Sequence, residues 1–325
     1  MNRRQAMIGA LAGAVTASLA HEAWAQTPTK LTVMVFPGIS NLPLFAAQTK
    51  GFFAKRGLEV DIKFTPNSDE LRNGLAEGRY QIVHSAVDNA VAMVEMAKVD
   101  VAIVSGGDNG LQQLFVSPDI ESYADIRGKT VLVDATNTAY AFLLYAMLKQ
   151  QGLNKGDYGI KSVGATGFRL AGLKDKTGVA AMLNPPFSFL GERAGLKNFG
   201  TAIKVLGPIQ ATGGFTLRSW AKANSDTLVH YLQAYIEGMR WARNPANKAE
   251  AIAFYVERLK LAEDIAAQSY DTAVNADGGL AEDAKFDDAG FRNVLKLRTE
   301  NEGGSALVPE KYLDLSYYQQ ALASL

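Results

Sequence analysis

Gly51-Phe-Phe-Ala-Lys-Arg-Gly-Leu-Glu-Val-Asp-Ile62 reads as a helix that stops on a glycine and re-enters the core as a strand. Gly57 stands where a left-handed residue ends a helix, and Lys55 and Arg56 place cations in its last turn, at the negative end of the dipole. Leu58, Val60 and Ile62 then alternate with Glu59 and Asp61, the period of two that half-buries a strand.

The same alternation of strand and helix runs outward from this segment and argues for mostly parallel sheets covered on both faces. Strands are predicted over 31–36, 58–64, 80–85 and 101–104, with helices over 41–54, 69–77 and 88–98 between them. A second set follows: strands over 129–134, 158–163 and 178–183, helices over 139–151 and 168–174, and a further strand over 202–206. Beyond Asn224 the chain turns helical, with segments over 227–243, 248–258 and 262–274. Two α/β lobes of about 100 residues each suit a chain of this length. The two sets share a rhythm but no sequence repeat.

Residues 1–25 have the layout of an export leader. Arg3 and Arg4 precede an apolar run over 7–20, and Ala23-Trp24-Ala25 supplies small residues for cleavage. A bilayer-spanning helix needs roughly 20 apolar residues, so the run is too short for an anchor. Paired arginines suit twin-arginine export, while the Gln-Ala-Met that follows suits ordinary Sec export as well.

Charge is balanced, with 33 basic and 33 acidic residues, and removal of the leader takes away only Arg3, Arg4 and Glu22. Such a surface offers no electrostatic footprint for nucleic acid or an anionic membrane. Cysteine is absent, so neither disulfides nor a lipid-modified Cys can form, and stability must come from a large core.

The 51–62 segment resembles the Gly-Phe-Phe…Gly-Leu-Xaa-Val signature of periplasmic solute-binding proteins in the nitrate/sulfonate/taurine and thiamine-precursor group. That family feeds ABC importers. The resemblance implies a type II two-lobed fold, each lobe a mostly parallel sheet flanked by helices, with a helical C-terminal extension on lobe one. Lobe one would comprise 26–114 plus 213–325 and lobe two 115–212, joined by paired hinge strands near 111–117 and 213–219. It also implies a small-molecule ligand, an inner-membrane ABC permease as partner, a monomeric periplasmic protein and no cofactor.

In open parallel sheets ligands bind beyond the carboxyl ends of strands, at the N-termini of the following helices. Four junctions have the composition for this. The first holds Ser40, Asn41 and Leu42 ahead of Pro43; Asn41 reads equally as a plain helix cap. The second holds Ser85, Asp88 and Asn89, with Asp88 either a cap or a selector for a donor or cationic group. The third, Thr136-Asn137-Thr138, puts three small polar side chains before a helix, more than one cap requires, and suits a carboxylate or oxyanion. It aligns with a Gly-Ser-Thr-like ligand loop of the resembled family, without the glycine. The fourth holds Asn184, Pro185 and Phe187, where Asn184 would bond a ligand and Phe187 would stack on it or lie in the core.

Gly106–Gly110 reads as a turn, Arg169 as a solvated surface residue, and His84 as a satisfied core or cleft-edge histidine. No phosphate loop, nucleophile elbow or zinc-binding His-Glu pair occurs, and beyond the leader only His84 and His230 remain. The cysteine-rich motif of the yeast-type pyrimidine synthases that share the resembled fold is missing too. No catalytic or metal residue is therefore assigned, and the expected function is capture and delivery of a small ligand. The ligand class stays open between a sulfonate, nitrate or carboxylate, which helix N-termini suit, and a neutral or pyrimidine-like molecule, since none of the four junctions carries Arg or Lys. The alternatives are a small-carboxylate lyase or dehydratase on the same scaffold, using Asp88 with His84, or a ligand-loaded sensor for a membrane receptor.

Overall fold

A computed structural model describes residues 27–325; the expected leader lies outside the described residues. Strand β1 (Thr29–Val35) leads into helix α1 (Leu42–Thr49) through a short 3-10 turn at Ile39–Asn41. Gly57 follows with φ 67°, left-handed as its position requires, although the segment it ends is a single 3-10 turn, Ala54–Arg56. Strand β2 (Leu58–Phe64) buries Leu58 and Val60 and exposes Glu59 and Asp61 between them. Helix α2 (Ser68–Ala76) starts at Asn67, whose side chain accepts from the Glu70 N–H. Strand β3 (Ile82–Ala86), helix α3 (Asp88–Glu95) and strand β4 (Val101–Gly106) complete the first run.

The second run comprises β5 (Gln113–Val116), β6 (Thr130–Val133), α4 (Ala139–Gln150), β7 (Gly159–Ser162) and α5 (Thr166–Lys174). It continues with β8 (Ala180–Leu183), α6 (Phe187–Arg193), β9 (Lys197–Thr201) and α7 (Ala202–Leu206). The predicted strand over 202–206 is therefore helix α7. The strand there is the preceding segment, β9, and Ala202 opens the helix with its N–H bonded to the Gln112 carbonyl at 2.9 Å. The chain returns through β10 (Thr212–Leu217) to helices α8 (Arg218–Ala223), α9 (Ser225–Arg243), α10 (Lys248–Leu259) and α11 (Glu263–Ala273). Two further helices, α12 (Asp288–Glu302) and α13 (Ser316–Ala323), close the chain.

Two five-stranded sheets result, ordered β2-β1-β3-β10-β4 and β7-β6-β8-β5-β9. In each, one strand runs antiparallel: β10 between β3 and β4, and β5 between β8 and β9. The strands expected as a hinge pair are thus not partners of each other; each is sealed inside its own sheet by bonds on both edges. The actual crossings are the short segments 107–112 and 207–211 that flank them.

Helix α9 carries the largest buried face, with Tyr231, Tyr235, Ile236 and Met239 turned into the lobe-one core. It packs on α1 so closely that a Cβ at Gly238 would lie 2.2 Å from the Pro43 carbonyl oxygen. That approach fixes where α1 and the loop before it stand. Helix α12 of the C-terminal helical extension packs on α3 of the first lobe and also on α4 of the second. Among the described residues no helix is long and apolar enough to cross a membrane.

Candidate functional site

An interlobe cavity of about 60 Å³ lies where the carboxyl ends of β1, β3, β6 and β8 face each other. Lobe one lines it with Gly38, Ser40, Asn41, Ser68, Ser85, Asn89 and Tyr235 among others; lobe two contributes Asp134, Thr138, Tyr140, Thr166, Arg169 and Asn184. The two sets meet because parallel strands end at one edge of each sheet and the crossings turn those edges together.

Local chemistry holds each wall. Asn41 Nδ2 donates to the Phe36 carbonyl at 2.8 Å and pins the loop after β1. Asn89 Nδ2 donates to Ser85 Oγ at 3.0 Å, tying the start of α3 to the end of β3. In lobe two, Thr166 Oγ1 donates to Asn184 Oδ1 at 2.7 Å and links the start of α5 to the end of β8. Across the cleft, the Ala165 N–H donates to the Pro66 carbonyl at 2.9 Å and Ser68 Oγ donates to Asp134 Oδ2, so the lobes are in contact.

Three groups on the wall, Arg169, Tyr140 and His84, have pKa values shifted by their burial. Arg169 is buried, and its guanidinium donates to the carbonyls of Met182 and Gly164 and to Thr166 Oγ1, at 3.0, 2.8 and 2.8 Å. Burial lowers its pKa, while the charge of Asp134 acts in the opposite direction. The guanidinium also sits 5.0 Å from the centre of the Tyr140 ring, and burial pushes that phenol up to about 12. His84 is buried against Tyr231 and Tyr235, with a ring nitrogen 2.9 Å from the Tyr231 hydroxyl, and loss of solvation drives its pKa down to about 3.

Asp108, in the first crossing, is buried behind the wall. It accepts from Ser40 Oγ at 2.7 Å, from Thr212 Oγ1 at 2.5 Å and from the Gly110 N–H at 3.3 Å. Burial raises its pKa and these donors oppose the rise. Gly106–Gly110 is therefore more than a surface turn: its aspartate joins both crossings to the β1 loop.

Of the residues singled out by sequence, Ser40, Asn41, Ser85, Asn89, Thr138 and Asn184 line the cavity. The other six lie elsewhere. Leu42 is fully buried in the lobe-one core. Asp88 is 1 % exposed and takes a bidentate pair from Arg298 at 2.6 and 2.9 Å, which occupies both its oxygens. Thr136 is exposed, and Asn137 sits at the lobe contact, where its carbonyl accepts from Arg298 at 3.0 Å. Pro185 does not reach the cavity lining, and Phe187 packs against the lobe-two core.

Ser68 and Tyr235 lie outside every junction read from sequence, Asp134 and Tyr140 bound the third junction without being assigned, and Arg169 was read as a surface residue. Arg169 reverses its expected surface position because the strand-end carbonyls of lobe two enclose it. A clue was present at Thr166-Gly167, a small-residue opening to its helix; Tyr235 offered none, since only the α9 packing brings it to the cleft.

The topology and the interlobe cavity define the periplasmic-binding-protein fold. Residues 39–249 match the family described as NMT1/THI5 like, and the chain belongs to that family. Solved structures agree on the fold. A protein of Bordetella bronchiseptica RB50 is 20 % identical, with TM-score 0.78 over 91 % of this chain and 97 % of the other. The periplasmic nitrate-binding protein NrtA of Synechocystis PCC 6803 is 15 % identical, with TM-score 0.77 over 92 % and 89 %. The alkanesulfonate-binding protein SsuA of Xanthomonas axonopodis pv. citri, bound to MOPS, is 14 % identical, with TM-score 0.68 over 91 % and 94 %. No curated protein matches the chain by sequence. Among the described residues, no cluster of three or more His, Asp or Glu is placed to hold a metal ion.

Proposed function

We propose that this protein is a periplasmic solute-binding protein that encloses a small molecule between its two lobes and hands it, unchanged, to an inner-membrane ABC importer. The single observation that carries the reading is the interlobe cavity, walled by strand ends and helix starts from both lobes. Such a site closes by relative motion of rigid lobes about short crossings. Family membership and the ligand-binding neighbours support it. The lobes are taken as 26–114 with 213–325, and 115–212, in a monomer exported by the leader.

Capture without chemistry also fits the groups present. The acid/base pair offered by sequence is not assembled, since Asp88 is held by Arg298 outside the cavity and His84 faces Tyr231. The ligand classes considered are sulfonate, nitrate or carboxylate on one side and a pyrimidine-like molecule on the other. Purified protein lacking residues 1–25 is tested by thermal shift against members of each class, because a ligand that binds only the native state raises Tm. A rise with one class, and the compound recovered intact by mass spectrometry, is the expected result. Silence from every class refutes the binding reading, and turnover of the compound refutes capture alone.

A further inference from the structure

We infer that the cavity selects a ligand that presents N–H donors, with Asp134 and Asn89 as the selecting residues, and that donor-free oxyanions are rejected. The inference rests on the binding reading above and names the ligand class for the same site.

Several donors on the wall are already committed within the protein, while the hydroxyls of Ser85 and Tyr140, which accept from Asn89 and Gln112, keep a hydrogen to offer a carbonyl or ring nitrogen. Asn41 Nδ2, Asn184 Nδ2 and Thr138 Oγ1 donate to the carbonyls of Phe36, Pro185 and Ala135, at 2.8, 3.3 and 3.1 Å. Ser40 Oγ and Thr166 Oγ1 donate to Asp108 and Asn184. Arg169 commits three of its five N–H groups to Met182, Gly164 and Thr166.

Two acceptors are left over: Asn89 Oδ1 and Asp134 Oδ1 have no hydrogen-bond partner. Their residues are 3 % and 7 % exposed, one on each side of the cavity. A buried acceptor without a partner carries its full desolvation cost, so each marks a place where the bound molecule supplies a hydrogen. The uncommitted hydroxyl of Tyr235 adapts, since it can donate or accept.

Charge points the same way. Among the described residues Arg169 is the cationic side chain on the wall, Asp134 puts a carboxylate on the same wall, and Asp108 adds a second carboxylate behind Ser40. An entering oxyanion therefore meets the carboxylate of Asp134 on the wall, while the nearest cation, Arg169, already spends three N–H groups on Met182, Gly164 and Thr166. The N-termini of α4 and α5 still offer backbone N–H groups, which suit a carbonyl or ring nitrogen on the same ligand. A molecule with N–H on one edge and an acceptor on the other satisfies both walls: an amine, amidine, amide or amino-substituted heterocycle.

The test is a thermal-shift screen of the protein without residues 1–25 against several hundred small metabolites, sorted beforehand into N–H donors and donor-free anions. Acetamidine, acetamide and 4-aminopyrimidine are the simplest donors; nitrate, methanesulfonate and acetate are the simplest anions. Stabilisation confined to donor-bearing compounds is expected. Stabilisation by donor-free anions alone leaves the binding reading standing and overturns this inference. No response in either class overturns both. On the best donor-bearing compound, Asp134→Ala and, independently, Asn89→Ala are each expected to weaken binding about tenfold or more in calorimetric titration. Asp134→Asn keeps an acceptor, so it should weaken amidines more than amides. Full affinity in both alanine variants refutes the assignment of the selecting residues.

Discussion

Removing Arg298 should damage this protein more than removing any exposed charge. Its guanidinium and the Asp88 carboxylate are 3 % and 1 % exposed at their side chains, joined at 2.6 and 2.9 Å. The same guanidinium donates to the Asn137 carbonyl of lobe two at 3.0 Å and lies 5.2 Å from the Phe142 ring centre. Arg298→Met keeps most of the stem but leaves a buried carboxylate without its counter-ion, a loss of about 3–5 kcal/mol. At roughly 2.1 cal/mol/K per residue over about 300 residues, that is a fall in Tm of about 5–8 °C. Adding Asp88→Asn removes the stranded charge, so the double variant should recover at least half the loss. Calorimetry on the two variants decides it. A fall below about 1 °C for Arg298→Met, or an equal fall in the double variant, refutes the reasoning.

Three further outcomes follow from the packing. Gly238→Ala gains about 1 kcal/mol of helix propensity but drives a Cβ to 2.2 Å from the Pro43 carbonyl, so overpacking of about 1–3 kcal/mol or more should win and urea denaturation should show net destabilisation. His84 has its pKa depressed to about 3 in the folded state, against 6.5 unfolded, so its contribution is complete above pH 6.5 and is lost as pH falls towards 3. His84→Phe should flatten that part of the stability–pH curve, by an amount on the order of 3–5 kcal/mol, and an unchanged slope contradicts the buried neutral imidazole. Thr136→Ala, at an exposed position off the cavity, should leave ligand affinity within about twofold, as solvent-facing substitutions do; a tenfold loss in titration would return Thr136 to the site.

Legibility from sequence followed the range of the interactions involved. Gly57 and the alternation in β2 depend on neighbours one to three residues away, and both were readable. The strand-end junctions were readable for the same reason, which is why Ser40, Ser85, Thr138 and Asn184, all on the cavity wall, were singled out. Arg169 was not, since its burial depends on the Met182 carbonyl 13 residues on. Asp88 looked like a cap or a selector until Arg298, 210 residues away, claimed both oxygens. Helix α7 was misread as a strand because Ala202–Leu206 is short and apolar, and only the fold shows the β5 edge already taken by β9.

The claim that ligand is held between the lobes is tested most directly at Gly38. Its backbone is extended, φ 174°, so any residue is accommodated, and a Cβ there points to Asn184 Nδ2 at 3.4 Å across the cleft. Calorimetric titration of Gly38→Trp with the best ligand from the screen is the measurement. Loss of binding in a variant with native circular dichroism is the predicted result. Wild-type affinity in that variant would place the ligand elsewhere and contradict the account.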